Sequence, residues 1–308
     1  MSVLFVTSID NGSGKTFFSY SLSQILINQN KTIDLIHLVP SQQNDLFQQD
    51  DVSDLLPSKV LSVNEFNSFI KEIDQTNNLI VKVSPHIPHD ELKNIAQNTQ
   101  GKIISILDFS NCLNHIPHLQ EFGDELAGVV INFVTKYGES KLSEHIIPAF
   151  LKANIQVLGS VPENRTLLSL SVQQVADILG AKFFNGNEYA DRLVEHYMVG
   201  GFGMDPGEMI FNTLDKKAVI VRGDRPDVQM SALSTDMSCF IMTGGLDPIE
   251  YVKYESTEEE VPILVVDSNT LDTMERINEL QNFSKFDHLI KLNVGCDLIL
   301  DNFNFEVL

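Results

Sequence analysis

Residues near the start of the chain have the types and spacing of a phosphate-binding loop, within the stretch IDNGSGKT. A glycine-rich turn between a strand and a helix directs backbone N–H groups and the positive helix end toward one point. A lysine there adds a mobile positive charge for a β- or γ-phosphate, and the following hydroxyl can ligate Mg²⁺. We therefore predict that ATP or another nucleotide is held by Asp10, Asn11, Gly12, Ser13, Gly14, Lys15 and Thr16.

The elements that this chemistry requires flank the loop. An apolar run over residues 2–7 predicts a strand, and the pattern over residues 15–28 predicts a helix. The strict motif has glycine at the position where this chain has Ile9, whereas a longer variant has its first small residue at Ser8. The alternative interpretation is a helix N-terminus that contains GSGKT by chance.

The same alternation of strands and helices continues along the chain and predicts an α/β fold. Continuously apolar runs such as AGVVINFV are typical of parallel strands that are covered by helices on both faces. We predict strands at 2–7, 33–39, 79–83, 103–107, 127–133 and 156–160, and helices at 15–28, 64–73, 89–97 and 141–152. Residues 40–62 are weakly patterned and are predicted to be a loop.

A second alternation after FFNGNEYADR (183–192) predicts a smaller α/β domain. The predicted division is residues 1–183, residues 184–285 and a C-terminal tail, 286–308, which could add an edge strand. Asp205-Pro206 and Asp247-Pro248 are each predicted to start a helix as N-cap and first residue. The predicted elements are strands 217–221, 238–242 and 262–266 and helices 206–214, 227–234, 248–255 and 270–281.

Composition argues against several classes of function. The chain has 308 residues, of which 43% are apolar, and a net charge of −21, which disfavours nucleic acid and anionic membranes as partners. The alternative interpretation, which we favour, is that the acidic balance serves only solubility. No apolar run has the length of about 18 residues that a membrane span needs, and the N-terminus lacks a signal pattern. The three cysteines have no metal-ligand spacing, so we predict buried thiols and a cytoplasmic protein.

The loop and three later segments together resemble dethiobiotin synthetase. The segments are FVTSIDNGSGKT, NCLNHIPHLQEF, LAGVVINFV and VLGSVPENRTLLSLSVQQVADILGA. The resemblance implies that Asn132 lies beside the nucleotide base and that Pro162 and Glu163 lie near the ribose. The alternative for each is an ordinary strand end or turn.

The second half resembles the DRTGG domain, on the segments EYADRLVEHYMVGGFG, KAVIVRGDRPDVQMSAL and FIMTGGLDP. This domain order is similar to the N-terminal region of long phosphate acetyltransferases, and to free-standing proteins of the phosphotransacetylase family. Strand ends are where open α/β sheets bind ligands, and arginines bind phosphates or carboxylates bidentately. We predict a ligand site at Arg222, Asp224, Arg225, Thr243, Gly244 and Gly245. The alternative is that Asp224 pairs internally with an arginine.

Departures from dethiobiotin synthetase argue against its chemistry. The second strand of that family ends in a Lys-Pro pair, but IDLIHLVPSQQ contains no lysine. The third strand should end in an acidic Mg²⁺ ligand, and this chain has Lys82 there. We predict Thr16 and Asp108 as the metal ligands, with Asp10 as another candidate, and assign no catalytic residue.

Three hypotheses remain from the sequence. The preferred one is a nucleotide-binding regulatory or sensor protein that forms homo-oligomers and acts with a partner enzyme of acetyl or acyl metabolism. The others are an ATP-dependent ligase or amidotransferase that resembles dethiobiotin synthetase, and a scaffold whose loop no longer binds. No segment resembles the acetyltransferase domain, so acetyl transfer is not expected.

Overall fold

The structure is a computed structural model that describes residues 2–41, 55–72, 77–201 and 207–307. The chain divides into two compact units, one formed by Met1–Asn164 with Phe286–Leu308 and the other by Arg165–Lys285. The division falls earlier than the boundary near residue 184 that the sequence suggests.

The first unit is built on a parallel sheet of seven strands, in the order β3-β2-β4-β1-β5-β6-β7. Its central strands are almost wholly buried because their runs of Val, Ile and Leu face helices on both sides. The strands are β1 (Val3–Thr7), β2 (Ile33–Val39), β3 (Ser58–Ser62), β4 (Asn78–Val83), β5 (Lys102–Asp108), β6 (Leu126–Val134) and β7 (Val157–Pro162).

The helices between these strands confirm the predicted α/β alternation. They are α1 (Lys15–Asn28), α2 (Val63–Glu72), α3 (His89–Thr99), α4 (Ile116–Gln120), α5 (Glu139–Lys141) and α6 (Ile147–Lys152). A turn of π-helix, Leu142–Ile146, joins the last two. The prediction of a loop over residues 40–62 is wrong at its end, where β3 forms; residues 42–54 lie outside the described residues.

The second unit has a sheet of five strands, in the order β11-β12-β13-β14-β9. The strands of this unit are β8 (Leu170–Ser171), β9 (Lys182–Asn185), β10 (Leu193–Val194), β11 (His196–Val199), β12 (Lys217–Arg222), β13 (Met237–Thr243) and β14 (Ile263–Val265). β8 and β10 form a separate antiparallel pair. In the five-stranded sheet β9 runs antiparallel to its neighbour and the other pairs are parallel, so this unit is also mainly a parallel α/β structure.

Of the six α-helices described in the second unit, the last four correspond to predicted helices, one of them with a misplaced start. They are α7 (Arg165–Leu168), α8 (Val172–Leu179), α9 (Gly207–Phe211), α10 (Pro226–Leu233), α11 (Glu250–Glu258) and α12 (Thr270–Asn278). Asp247 does not cap α11, because the N-cap residue is Ile249 and the helix begins at the next residue. The predicted cap at Asp205-Pro206 lies outside the described residues.

The C-terminal segment forms a long helix, α13 (Leu289–Asn302), which belongs to the first unit. The predicted edge strand is therefore wrong. Gly295 allows α13 to pack against α1, because a Cβ there would lie less than 3.0 Å from the Ser21 hydroxyl. Beyond the helix, Phe303 forms a single antiparallel bridge with Gly159 of β7. Within the described residues, no helix combines the length and apolar character that crossing a membrane requires.

Candidate functional site

The loop between β1 and α1 is folded around one carbonyl oxygen. The Ser8 hydroxyl donates to the Asp10 carbonyl oxygen at 2.6 Å, and the Ser13 hydroxyl donates to the same oxygen at 2.9 Å. Helix α1 then begins at Lys15, directly after Gly14, with no side-chain cap and no acidic residue in its first turn. The first-turn N–H groups are therefore not satisfied by a capping side chain, as a site for a phosphate requires.

The side chain of Asn132 holds this loop by a hydrogen bond to its backbone. Its Nδ2 donates to the Ser13 carbonyl oxygen at 2.9 Å, and the side chain is buried, with 4% exposed. Gly14 lies directly against it, with a φ of +98°, and a Cβ there would lie less than 3.0 Å from Asn132 Nδ2. Glycine is required by both the backbone angle and the contact. The structure thus places Asn132 against the loop; its contact with a base stays a prediction.

Lys15 is held over the loop by a neutral partner. Its Nζ donates to the Ser8 hydroxyl at 2.7 Å, and among the described residues it forms no ion pair with a carboxylate. Burial lowers the pKa of Lys15 to about 8. Thr16 follows on the first turn of α1 and is half-buried. A partly desolvated ammonium without a paired anion is well suited to bind one.

The two carboxylates near the loop are both engaged by internal hydrogen bonds. Asp10 Oδ2 accepts from Asn111 Nδ2 at 2.7 Å and lies 2.7 Å from His115 Nε2. Asp108 Oδ1 accepts from the backbone N–H of Ser110 at 2.7 Å and from its hydroxyl at 2.6 Å. The partners of Asp10 lie about a hundred residues away in sequence, and no local pattern points to them.

Lys82 lies on β4 in a row with Val6 of β1 and His37 of β2. Burial, and then the charge of Lys15, lower the pKa of Lys82 to about 8. Burial, and then the charge of Lys82, lower the pKa of His37 to about 3, so this imidazole is neutral near pH 7. His37 Nε2 lies 3.2 Å from the Tyr20 hydroxyl, a contact between two buried side chains.

Lys82 makes the described surroundings of the loop less favourable for Mg²⁺. The ion prefers carboxylate oxygens, and each of the two nearby carboxylates accepts its hydrogen bonds through one oxygen, Asp10 Oδ2 and Asp108 Oδ1. Lys82 brings positive charge to the strand beside β1, and a positive charge opposes a divalent cation. The assignment of Thr16 and Asp108 as metal ligands therefore stays a prediction without support from the geometry.

Pro162 and Glu163 lie at the exposed end of β7, on the edge of the sheet. Two strands, β5 and β6, separate β7 from β1. The backbone N–H of Glu163 donates to the carbonyl oxygen of Val134 at 3.0 Å, which extends the pairing of β6 with β7. The structure shows no contact of these residues with the described loop, and their place near a ribose stays a prediction.

In the second unit, both predicted arginines are already paired. Arg222 binds Asp224 bidentately, at 2.9 and 2.5 Å, and Arg225 binds Asp227 in the same way, at 2.9 and 2.8 Å. The hydrogen bonds that the guanidinium groups donate to these carboxylates raise the pKa of each arginine and lower the pKa of each aspartate. The alternative of internal pairing therefore describes the geometry of this structure.

The glycines of the same sheet edge form a turn in the left-handed region. Gly244 and Gly245, with φ of +88° and +64°, follow β13, and their N–H groups donate to the carbonyls of Ser268 and Val266 at 2.9 Å. The Thr243 hydroxyl lies 2.9 Å from that of Thr270. The six predicted residues thus lie at the ends of neighbouring strands, β12 and β13. Many of their polar groups already form hydrogen bonds with other residues of the protein.

Comparison with known protein families also indicates a nucleotide-binding domain that contains the loop. The family model described as CobQ/CobB/MinD/ParA nucleotide binding domain matches residues 4–174, which include the loop and Asn132. The chain belongs to this family. A second family model, the DRTGG domain, matches residues 174–280, so the chain combines the two domains in the predicted order.

Several relatives and structures are similar to parts of the chain. Phosphate acetyltransferase of Nitratidesulfovibrio vulgaris is 30% identical over 217 residues, which cover 66% of this chain and 30% of that protein. The chain thus spans less than a third of this relative. The MinD cell division protein of Aquifex aeolicus covers 55% of this chain, with 84% of its own length matched, 16% identity and a TM-score of 0.39. The CBS and DRTGG domains of Clostridium perfringens pyrophosphatase, complexed with diadenosine tetraphosphate, cover 50%, with 74% of that chain matched, 13% identity and a TM-score of 0.32.

Proposed function

We propose that this protein binds a nucleotide at residues 10–16 and acts as a nucleotide-dependent regulatory protein. The observation that carries the proposal is the intact loop, in which Lys15 is held by the neutral Ser8 and Gly14 is fixed against Asn132. Membership of a nucleotide-binding domain family supports it.

We propose further that turnover of the nucleotide is slow or absent. General acid–base or metal-assisted chemistry needs a carboxylate or metal at the reacting phosphate. The carboxylates of Asp10 and Asp108 are hydrogen-bonded internally, and Lys82 occupies the strand position where an acid was expected. This favours a sensor over the ligase or amidotransferase alternative, which no feature of the described residues supports.

The wider role is also a proposal. A regulatory protein of this kind would act with an enzyme of acetyl or acyl metabolism, as the similarity to phosphate acetyltransferase suggests. We propose that it forms homo-oligomers, works in the cytoplasm and uses the Gly244–Gly245 edge of its second unit to bind an anionic ligand.

The test is calorimetric titration of ATP and ADP, each with and without Mg²⁺, followed by measurement of phosphate release from the same sample. We expect binding by the wild type and a loss of at least about tenfold in affinity for Lys15→Ala, since one charge-assisted contact is worth about 1.5–3 kcal/mol. Lys31→Ala, at an exposed position of the same unit, is the matched control. Equal affinity in the wild type and Lys15→Ala contradicts the proposal, and rapid phosphate release favours the ligase alternative.

A further inference from the structure

Two histidines and a glutamate, none of them a residue of the phosphate-binding loop, converge on the surface of the first unit. His89 is the first residue of α3, His118 lies on α4 and Glu121 directly follows α4. The ligand atoms of the three side chains all lie within 4.8 Å of one another. Both histidines end a copy of the same tetrapeptide, HIPH, at residues 86–89 and 115–118.

The contact geometry resembles a coordination sphere. His89 Nδ1 lies 3.8 Å from Glu121 Oε2, and His118 Nδ1 lies 3.7 Å from Glu121 Oε1. In a tetrahedral site with metal–ligand bonds of about 2.0–2.1 Å, ligand atoms lie about 3.3 Å apart. Side-chain rotation closes the remaining difference, because the side chains of His118 and Glu121 are about half exposed.

The backbones that carry the three ligands are fixed by the fold. The His89 ring packs against Phe122, which is completely buried, with ring centroids 5.1 Å apart. Leu119, between the other two ligands, is also completely buried. The Lys93 ammonium donates to the backbone carbonyl of Glu121 at 2.7 Å, which links α3 to the end of α4. The ligands are therefore presented from two anchored elements rather than from a free loop.

We propose that His89, His118 and Glu121 bind a divalent transition-metal ion, with solvent as the remaining ligand. Two imidazole nitrogens and one carboxylate suit Zn²⁺, Co²⁺, Ni²⁺ or Cu²⁺, whereas Mg²⁺ and Ca²⁺ require oxygen ligands. The bound ion would connect α3 to α4. His115, in the turn before α4, contacts Asp10 of the phosphate-binding loop. An ion that connects α3 to α4 would therefore be linked to the loop through α4 and this turn.

The test uses the full chain without a histidine tag and titrates it with ZnCl₂ by calorimetry and with CoCl₂ by visible absorption. We expect one ion per chain, a cobalt spectrum of tetrahedral type, and no competition from millimolar Mg²⁺. In His118→Ala and in Glu121→Gln the affinity should fall by at least about tenfold, since even loss of an outer partner costs 10–100-fold. Both positions are exposed, so the variants should fold as the wild type does, which circular dichroism checks.

His145→Ala is the matched control, because His145 is an exposed histidine of the same unit outside the cluster. The proposal predicts wild-type affinity for this variant. Absence of zinc binding, or equal affinity in the wild type and the two ligand variants, overturns it. Titration with ATP is a separate measurement, so a failure here is distinguishable from a failure of the nucleotide proposal.

Discussion

Replacing Gly14 with alanine tests how the phosphate-binding loop is held. Alanine at a φ of +98° is strained by about 1–2 kcal/mol. The new Cβ would lie less than 3.0 Å from Asn132 Nδ2, so the amide must move and lose its hydrogen bond to the Ser13 carbonyl. A buried donor without a partner costs about 1–3 kcal/mol, which gives a total loss of about 3 kcal/mol in the free energy of unfolding.

Gly12 provides the matched control. Its φ is +77°, but a Cβ there has no neighbour within 4 Å, so Gly12→Ala should cost only the backbone strain of about 1–2 kcal/mol. Asn132→Ala removes the amide that the new Cβ in Gly14→Ala would strike. The double variant Gly14→Ala/Asn132→Ala should therefore be more stable than additivity predicts, by about 1 kcal/mol.

Urea unfolding followed by far-UV circular dichroism measures these differences, since the chain contains no tryptophan. ATP titration of the same variants should show a greater loss of affinity for Gly14→Ala than for Gly12→Ala. Equal stability losses at the two glycines, together with strict additivity in the double variant, would refute the contact between Gly14 and Asn132.

Three further predictions concern a buried charge, a helix contact and a surface pair. Lys15→Met should be more stable than the wild type at pH 7 by about 2 kcal/mol, after allowance for solvent screening, because folding lowers the Lys15 pKa from 10.5 to about 8. Between pH 8 and pH 10.5 the lysine is protonated in the unfolded wild type but not in the folded wild type, so the wild type gains stability as pH rises through this range. The stability difference between Lys15→Met and the wild type should therefore close, which urea unfolding at several pH values checks. Gly295→Val should destabilise by about 1–3 kcal/mol, because its Cβ meets the Ser21 hydroxyl, whereas Asn293→Val at an exposed position of the same helix should lose less. Arg222→Ala should leave stability almost unchanged, since its ion pair is exposed; a clear fall in the midpoint of thermal denaturation would contradict this.

The sequence predicted the strands whose residues are almost all buried, because they form continuous apolar runs. It missed β3, most of whose residues are partly or fully exposed. α1 was predicted with its observed bounds, and β1, β2 and β4 lie within a residue or so of prediction. β3 was missed because, as an edge strand, it is fully buried only at Ser62 and shows no apolar run. The tail was misassigned because its last apolar residues alternate, although Leu292, Cys296 and Ile299 have helical spacing.

The candidate site was predictable only where its residues are adjacent in sequence. The loop follows from its own spacing, since strand, turn and helix are local. The bond from Asn132 to Ser13 and the contacts of Asp10 with Asn111 and His115 join segments about a hundred residues apart. Such pairs depend on which strands become neighbours, and no pattern within one segment records that.

The position of α13 has a consequence for the order of folding during synthesis. The helix covers α1 of the first unit, yet it follows the whole second unit in the chain. A ribosome must therefore translate residues 165–285 before the apolar side of α1, which includes Phe17 and Phe18, can be covered. Until then the nascent first unit exposes this surface, so the unit that contains the phosphate-binding loop can complete its core only after the second unit has been made.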